Sequence, residues 1–162
     1  MRGVRSLDME EIIKSLEPII QFVFLPYIFP LYFAAIWIAV GYSLSKMSGW
    51  SELSEKYVFS NKFDGKYYRY QSAKFNKINF NNALQLGVNN QGMYLATMIL
   101  FRLFHKPLFI PWNEIQAEPY KRLFFKGYRL KFNLFPNIEM KINGRTYDKM
   151  SEYLKTASNH AV

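Results

Sequence analysis

A long uncharged segment limits most strongly what this chain can fold into. The stretch from Ile19 to Leu44 holds no charged residue. A membrane-crossing helix needs ~20 mostly apolar residues, and a soluble helix is rarely apolar on every face. A cleaved signal peptide would have a shorter apolar core of ~7–15 residues. The sequence therefore predicts one N-terminal transmembrane helix over residues 18–45, kinked at Pro26 and Pro30, with a re-entrant hairpin as the alternative.

A short segment with seven charged residues, residues 1–17, precedes the uncharged stretch. In residues 1–17, Asp8 and Glu11 have the spacing of a capping box at a helix start. Met9, Ile12, Ile13 and Leu16 then fall on one helical face. We therefore expect residues 1–17 to form either an amphipathic helix along a membrane surface or a loosely ordered tail.

Charge is concentrated in the third segment, residues 46–162. This segment holds 18 basic and 8 acidic side chains, a net charge of +10, whereas residues 1–17 hold three basic and four acidic ones. An anionic inner leaflet would attract such a domain. The sequence therefore predicts an inner-membrane protein with its C-terminal domain in the cytoplasm. The chain has no cysteine, which rules out disulfides and thiolate metal sites.

Residues 46–162 are predicted to form a mainly β domain with a C-terminal α-helix. Trp50, Leu53 and Tyr57 share one face of a short helix before the first strand. Alternation of apolar and polar residues and turn signals such as Asn89–Gly92 then divide the chain into strands. The predicted strands cover residues 66–75, 78–88, 93–103, 108–115, 119–125, 128–134 and 138–142, and the final helix covers residues 146–157.

Seven antiparallel strands closed by one amphipathic helix resemble the pleckstrin-homology (PH) and GRAM-like fold. The stretch GMYLATMILFRLFHKPLFIPWNEI, Gly92 to Ile115, also resembles a signature of small bacterial single-span membrane proteins that carry a PH-like domain. The resemblance covers roughly residues 50–157. It implies a PH-like seven-stranded bent barrel whose open corner is covered by the C-terminal helix. It implies an architecture rather than an activity.

Basic residues gather in alternate loops of this predicted meander. If the first, third and fifth loops share one end of the barrel, their basic residues form a positive rim there. The second, fourth and sixth loops, at the other end, contain Glu118 as their only charged residue. PH domains that bind phosphoinositides usually continue with a Lys/Arg-x-Arg pattern, which is absent here. A general anionic site or a protein-binding face is therefore predicted. The residues of the positive rim are Lys74, Lys77, Arg102, His105, Lys106, Lys126 and Arg129.

The segment from Leu108 to Ile115, LFIPWNEI, places Trp112 and Glu114 just after His105. We interpret Trp112 as a core aromatic and Glu114 as the end of a strand, because a general base needs a partner within hydrogen-bond reach. The sequence holds no nucleophile elbow, no phosphate-binding loop and no cluster with metal spacing. The sequence therefore predicts no catalytic residues, no metal site and no cofactor.

These observations predict a membrane-anchored binding or scaffold module. Its expected partners are the membrane and an anionic phospholipid head group or a protein at the cytoplasmic membrane face. An accessory subunit of a membrane protein complex is the alternative. A nucleic-acid binder is disfavoured because most aromatic side chains alternate inward, whereas base-stacking platforms are exposed.

Overall fold

The structure is a computed structural model that describes residues 9–23, 28–122 and 125–159. The chain divides into two compact units, Met1–Val40 and Gly41–Val162. The predicted cap at Asp8 and the predicted kink at Pro26 lie outside the described residues.

Two helices occupy the N-terminal region, α1 (Met9–Val23) and α2 (Phe29–Ser48). No helix among the described residues combines the length and apolar composition that a membrane crossing needs. The prediction of one transmembrane helix over residues 18–45 is therefore wrong. The uncharged stretch is divided between helices: residues 19–23 complete α1, whose earlier turns are charged, and residues 29–44 lie in α2. Pro30 lies in the first turn of α2, where proline is tolerated.

Helix α1 is amphipathic, with large apolar side chains on one face. Met9, Ile13 and Ile19 are each more than half exposed. Glu10, Glu11, Lys14 and Glu17 supply its charged residues. Helix α2 also exposes large apolar side chains between Phe29 and Val40. The N-terminal unit therefore presents much apolar surface for its size.

The C-terminal unit is built on a seven-stranded antiparallel sheet in the order β4-β3-β2-β1-β7-β6-β5. Helix α3 (Trp50–Tyr57) precedes the sheet, and helices α4 (Gly144–Asp148) and α5 (Ser151–Asn159) follow it. The strands are β1 (Lys66–Phe75), β2 (Ile78–Val88), β3 (Gly92–Thr97), β4 (Leu108–Pro111), β5 (Ile115–Arg122), β6 (Phe125–Phe132) and β7 (Phe135–Asn143).

The seven antiparallel strands and a C-terminal helix are present, but details differ from the sequence prediction. In the described residues, β4 and β5 are the two edges of the sheet, so backbone pairing does not close it into a barrel. The predicted strand 93–103 ends at Thr97, where a 3₁₀ turn begins. The predicted final helix is divided into α4 and α5. The resemblance to PH and GRAM-like domains stays a prediction.

The core of this unit lies between the sheet and helix α3. Trp50 is fully buried, and its ring centroid lies 5.3 Å from that of Phe75 and 5.8 Å from that of Phe80. The indole Nε1 donates a hydrogen bond to the backbone oxygen of Lys106 at 2.9 Å. Leu53 and Tyr57 are buried on the same face of α3, as the helical spacing predicts. These contacts fix α3 against the sheet.

Candidate functional site

Three cations stand side by side on the outer face of the sheet. Lys74 of β1 pairs with Lys141 of β7, and Lys141 pairs with Arg129 of β6. The row ends in Asn79 of β2 on one side and Glu118 of β5 on the other. Residues directly opposite in antiparallel strands have Cβ atoms ~5 Å apart, and like charges at this spacing destabilise a sheet. An anion bound over the row would relieve this repulsion.

A groove lies over this row. Its volume is about 1110 Å³, slightly above the usual ~300–1,000 Å³ of small-molecule sites. Lys126 and Arg145 join the three cations of the row, and Asp148 is the acidic residue of the lining. The lining therefore has a formal charge of +4, from five cations and one carboxylate. Neutral groups that can bond an anion's oxygens come from Ser72, Asn79, Asn81, Asn143 and Tyr120.

The β1–β2 turn is tied directly to strand β7. Asn76 has a φ of 48°, a left-handed conformation that asparagine tolerates better than most residues. Its backbone N–H donates a hydrogen bond to the Glu139 backbone oxygen at 3.0 Å. Its side-chain oxygen accepts one from the Glu139 backbone N–H at 3.0 Å. These two bonds extend the β1–β7 pairing to the end of the turn. They therefore hold Lys74 beside Lys141.

Helix α4 is fixed to the edge of the groove by several contacts. Tyr147 stacks on Tyr128 of β6 with ring centroids 3.5 Å apart and planes at 8°. The side-chain oxygen of Asn143 accepts a hydrogen bond from the Thr146 N–H at 2.8 Å and caps the helix. Lys149 donates to the side-chain oxygen of Gln71 at 2.7 Å. These contacts fix both ends of α4, and Arg145 of this helix lines the groove.

Glu139 partly neutralises the row. Its carboxylate forms an ion pair with Lys141, and Arg129 Nε lies 3.0 Å from its Oε2. The Arg129 N–H is not directed at that oxygen, so this contact is an ion pair rather than a hydrogen bond. The hydrogen bond from Lys141 lowers the pKa of Glu139, burial acts in the opposite direction, and the charges of Arg129 and Lys131 lower it further. Glu139 is therefore ionised at neutral pH and reduces the local charge to +3.

Gly127 makes room for an aromatic side chain at the edge of the groove. Gly127 pairs with Tyr120 across strands β5 and β6. A Cβ atom at position 127 would lie 2.7 Å from the Tyr120 ring, closer than carbon atoms pack. The absence of a side chain therefore lets the ring lie across the sheet. This places an aromatic surface and a hydroxyl group beside Lys126 and Arg129.

The structure brings together three of the seven residues of the predicted positive rim. Lys74, Lys126 and Arg129 line the groove, whereas Lys77, Arg102, His105 and Lys106 do not. Lys77 is exposed in the β1–β2 turn, and Lys106 is exposed before β4. Arg102 donates to the Thr97 backbone oxygen at 3.3 Å and to the Gln85 side-chain oxygen at 3.4 Å.

His105 lies in the core instead of on the surface. It is 1% exposed, and its ring lies 5.5 Å from the rings of Trp50 and Phe80. Its Nδ1 lies 3.1 Å from the Phe101 backbone oxygen. Burial lowers the pKa of His105, and the bond to Phe101 only partly opposes this. His105 is therefore neutral at pH 7 and stabilises the segment before β4 by packing.

The expected convergence of the first, third and fifth loops does not occur in this sheet. A continuous meander would make β1 and β7 parallel, but they pair antiparallel. Strands β4 and β5 run in the same direction relative to their sheet neighbours, so the alternation of a meander is interrupted between them, where Trp112–Glu114 forms a 3₁₀ turn. Lys126 and Lys77 consequently lie on opposite sides of the row of cations.

Sequence reasoning missed Lys141 and Arg145, which the groove includes. The missed signal is the alternation of IEMKI, in which Ile138, Met140 and Ile142 are buried and Glu139 and Lys141 face outward. The same alternation in YRLKF places Arg129 and Lys131 outward. The cations that line the groove therefore come mainly from outward positions of strands and not from loops. Arg145 has no comparable signal, because its position depends on where β7 ends.

The residues of the LFIPWNEI segment form a packed corner. Trp112 is 3% exposed, and its Nε1 donates to the Asn89 backbone oxygen at 2.8 Å. Burial, followed by the charge of Glu114, raises the pKa of Tyr57 to about 12, so the phenol stays protonated beside the carboxylate. Neither group lines the groove. Within the described ranges, no group of three His, Cys, Asp or Glu residues could hold a metal ion.

Comparison of the chain with protein-family models, with curated proteins and with solved structures gives no match.

Proposed function

We propose that this chain is a binding module whose groove holds a phosphate-bearing anion. The observation that carries the proposal is the row Lys74, Lys141 and Arg129, three like charges in adjacent cross-strand positions. Like charges in these positions destabilise a sheet, and because Glu139 neutralises only part of the row, a bound anion would stabilise it further. Arginine and lysine together bind phosphate oxygens with charge-assisted hydrogen bonds.

The size and lining of the groove favour a multiply charged ligand over a single phosphate ion. The volume of about 1110 Å³ fits a phosphorylated head group or small molecule. The amides of Asn79, Asn81 and Asn143 can bond hydroxyl or ester oxygens of such a ligand. The net charge of the chain, +9, further favours action at the anionic cytoplasmic face of a membrane.

The test compares two double variants that change the charge equally. The first, Lys74→Glu with Lys141→Glu, reverses the row, and the second, Lys77→Glu with Lys106→Glu, reverses two residues of the predicted rim. Calorimetric titration of the full chain uses inorganic triphosphate and a short-chain phosphatidic acid in separate arms. We expect the first variant to bind at least roughly a hundredfold more weakly, because each cation gives a charge-assisted bond.

The second variant should bind within about twofold of the parent, because exposed charges that lie away from the groove are screened by salt. Equal losses in both variants would show that only net charge matters and would contradict a groove. Binding of the phosphatidic acid alone would identify a lipid head group as the source of the phosphate. A parent chain that binds neither probe, and binds an acidic peptide instead, would replace this proposal with a protein-binding face.

A substitution at Glu139 is expected to strengthen anion binding, in contrast to the substitutions of the cations. Glu139→Gln removes the carboxylate that occupies Lys141 and Arg129. We expect triphosphate to bind roughly three- to tenfold more tightly, because one competing charge near the ligand is gone. The same titration measures the change, and Glu118→Gln, at the edge of the row, is the matched control with a smaller effect. Weaker binding by Glu139→Gln would contradict competition between the carboxylate and the ligand.

A further inference from the structure

The segment between β3 and β4 exposes an unusual amount of apolar surface. Ile99 is 82% exposed, Leu100 is 61% exposed and Leu103 is 67% exposed. Single exposed apolar side chains are ordinary on protein surfaces, but three large ones within five positions form a patch. We call Ile99, Leu100 and Leu103 the apolar tip. None of the three lines the groove.

The apolar tip is fixed by hydrogen bonds and packing on both sides. The Phe101 N–H donates to the Met98 oxygen at 2.9 Å, which closes the 3₁₀ turn. The Ser45 hydroxyl of α2 donates to the Phe104 oxygen at 2.7 Å. His105, buried in the core, fixes the chain immediately after Phe104. The tip therefore cannot collapse onto the sheet without breaking these contacts.

Helix α2 extends the apolar surface at its C-terminal end. Gly41 lies against the ring of Phe104, since a Cβ atom there would be 2.8 Å from that ring. Tyr42 packs edge-on against the same ring with centroids 6.1 Å apart, and it is 55% exposed. The surface around the tip is therefore both apolar and aromatic.

Two exposed cations adjoin this apolar surface. Lys46 follows Ser45, whose hydroxyl donates to the Phe104 oxygen, and Lys106 comes two positions after Phe104. From residue 65 to residue 113 the sequence contains no acidic residue. A second copy of the chain would bring the same cations together across a symmetric contact, which disfavours self-association. An anionic bilayer satisfies both features, since it offers acyl chains to the tip and negative head groups to the cations.

We infer that the apolar tip inserts into the interfacial layer of an anionic lipid bilayer while the exposed Lys46 and Lys106 contact the head groups. This contact uses residues that are separate from the groove and goes beyond the function proposed for it. The tip sets which surface of the C-terminal unit faces the bilayer. Tyr42 contributes an aromatic group at head-group depth, where tyrosine is favoured.

The absence of cysteine permits a test that reports on one position at a time. Leu103→Cys and Leu134→Cys are labelled separately with a polarity-sensitive fluorophore in the full chain. Leu134 is also exposed, at 51%, and lies in the β6–β7 turn. Vesicles of phosphatidylcholine mixed with phosphatidylglycerol are compared with vesicles of phosphatidylcholine alone.

We expect a blue shift and quenching by lipid-borne quenchers for the label at position 103 with anionic vesicles, and neither for the label at position 134. Ile99→Ser combined with Leu100→Ser should weaken binding of the labelled chain roughly tenfold, because two apolar side chains no longer enter the lipid. Ile99→Trp should strengthen it.

Three results would overturn the inference. One is a bound chain whose label at position 103 stays in water. Another is a chain that does not bind anionic vesicles. The third is a blue shift without lipid that grows with protein concentration, which would assign the tip to a contact between copies of the chain. The groove variant Lys74→Glu with Lys141→Glu should retain the blue shift at position 103, so a failure of the groove proposal is distinguishable from a failure of this one.

Discussion

Replacing Trp50 by alanine should unfold the C-terminal unit or leave it barely stable. Removing a buried tryptophan costs about 3–5 kcal/mol, and the unpaired Lys106 oxygen adds ~1–3 kcal/mol. A domain of this size is stable by only ~5–15 kcal/mol. The indole also contacts Phe75, Phe80 and His105, so its loss loosens α3, β1 and the segment before β4 together. Urea unfolding followed by circular dichroism measures the effect.

Two further variants separate the parts of this effect. Trp50→Phe retains an aromatic ring but loses the hydrogen bond to Lys106, so its cost should fall between those of parent and alanine variant. Leu134→Ala, at a half-exposed position, should cost under about 1 kcal/mol. An alanine variant at position 50 as stable as Leu134→Ala would show that α3 does not pack on the sheet as described.

Neighbouring residues of β6 should respond in opposite ways to the same change. Leu130 is fully buried, so Leu130→Asp places an unpaired carboxylate in the core and should unfold the unit at a cost of several kcal/mol. Arg129 faces the groove, so Arg129→Asp should leave the fold intact but abolish binding of triphosphate. Far-ultraviolet circular dichroism and calorimetry on both variants measure fold and binding separately.

This pair tests the strand alternation on which the site depends. A one-residue change of register would move Arg129 into the core and Leu130 to the surface. An Arg129→Asp variant that unfolds, beside a Leu130→Asp variant that stays folded, would therefore contradict the described register and the groove with it.

The sequence predicted local elements better than their assembly. Strands β1 and β2 have the predicted bounds, because their alternation and turn residues are strong local signals. Strand β3 ends before its predicted limit, because the run from Met98 to Leu103, apolar except for Arg102, has the composition of a strand covered on both faces. In the structure that run is an exposed 3₁₀ turn, and apolar composition alone does not distinguish the two.

The candidate site could be predicted only in part, because it depends on pairing across the sheet. Nothing local shows that β7 pairs antiparallel with β1, yet that pairing places Lys141 between Lys74 and Arg129. The N-terminal prediction failed for a different reason. The uncharged stretch was treated as one element, whereas α1 ends at Val23 and α2 starts at Phe29.

The most direct test of the central claim is to locate a bound phosphate on the chain. Amide chemical shifts of the isotope-labelled full chain are measured during titration with inorganic triphosphate. We expect the largest shifts to cluster on β1, β7, β6 and α4 around the groove, at Lys74, Arg129, Lys141 and Arg145, with little change at Lys77 or Lys106. Shifts concentrated at Lys77, Arg102 and Lys106, or no saturable shifts at all, would contradict it.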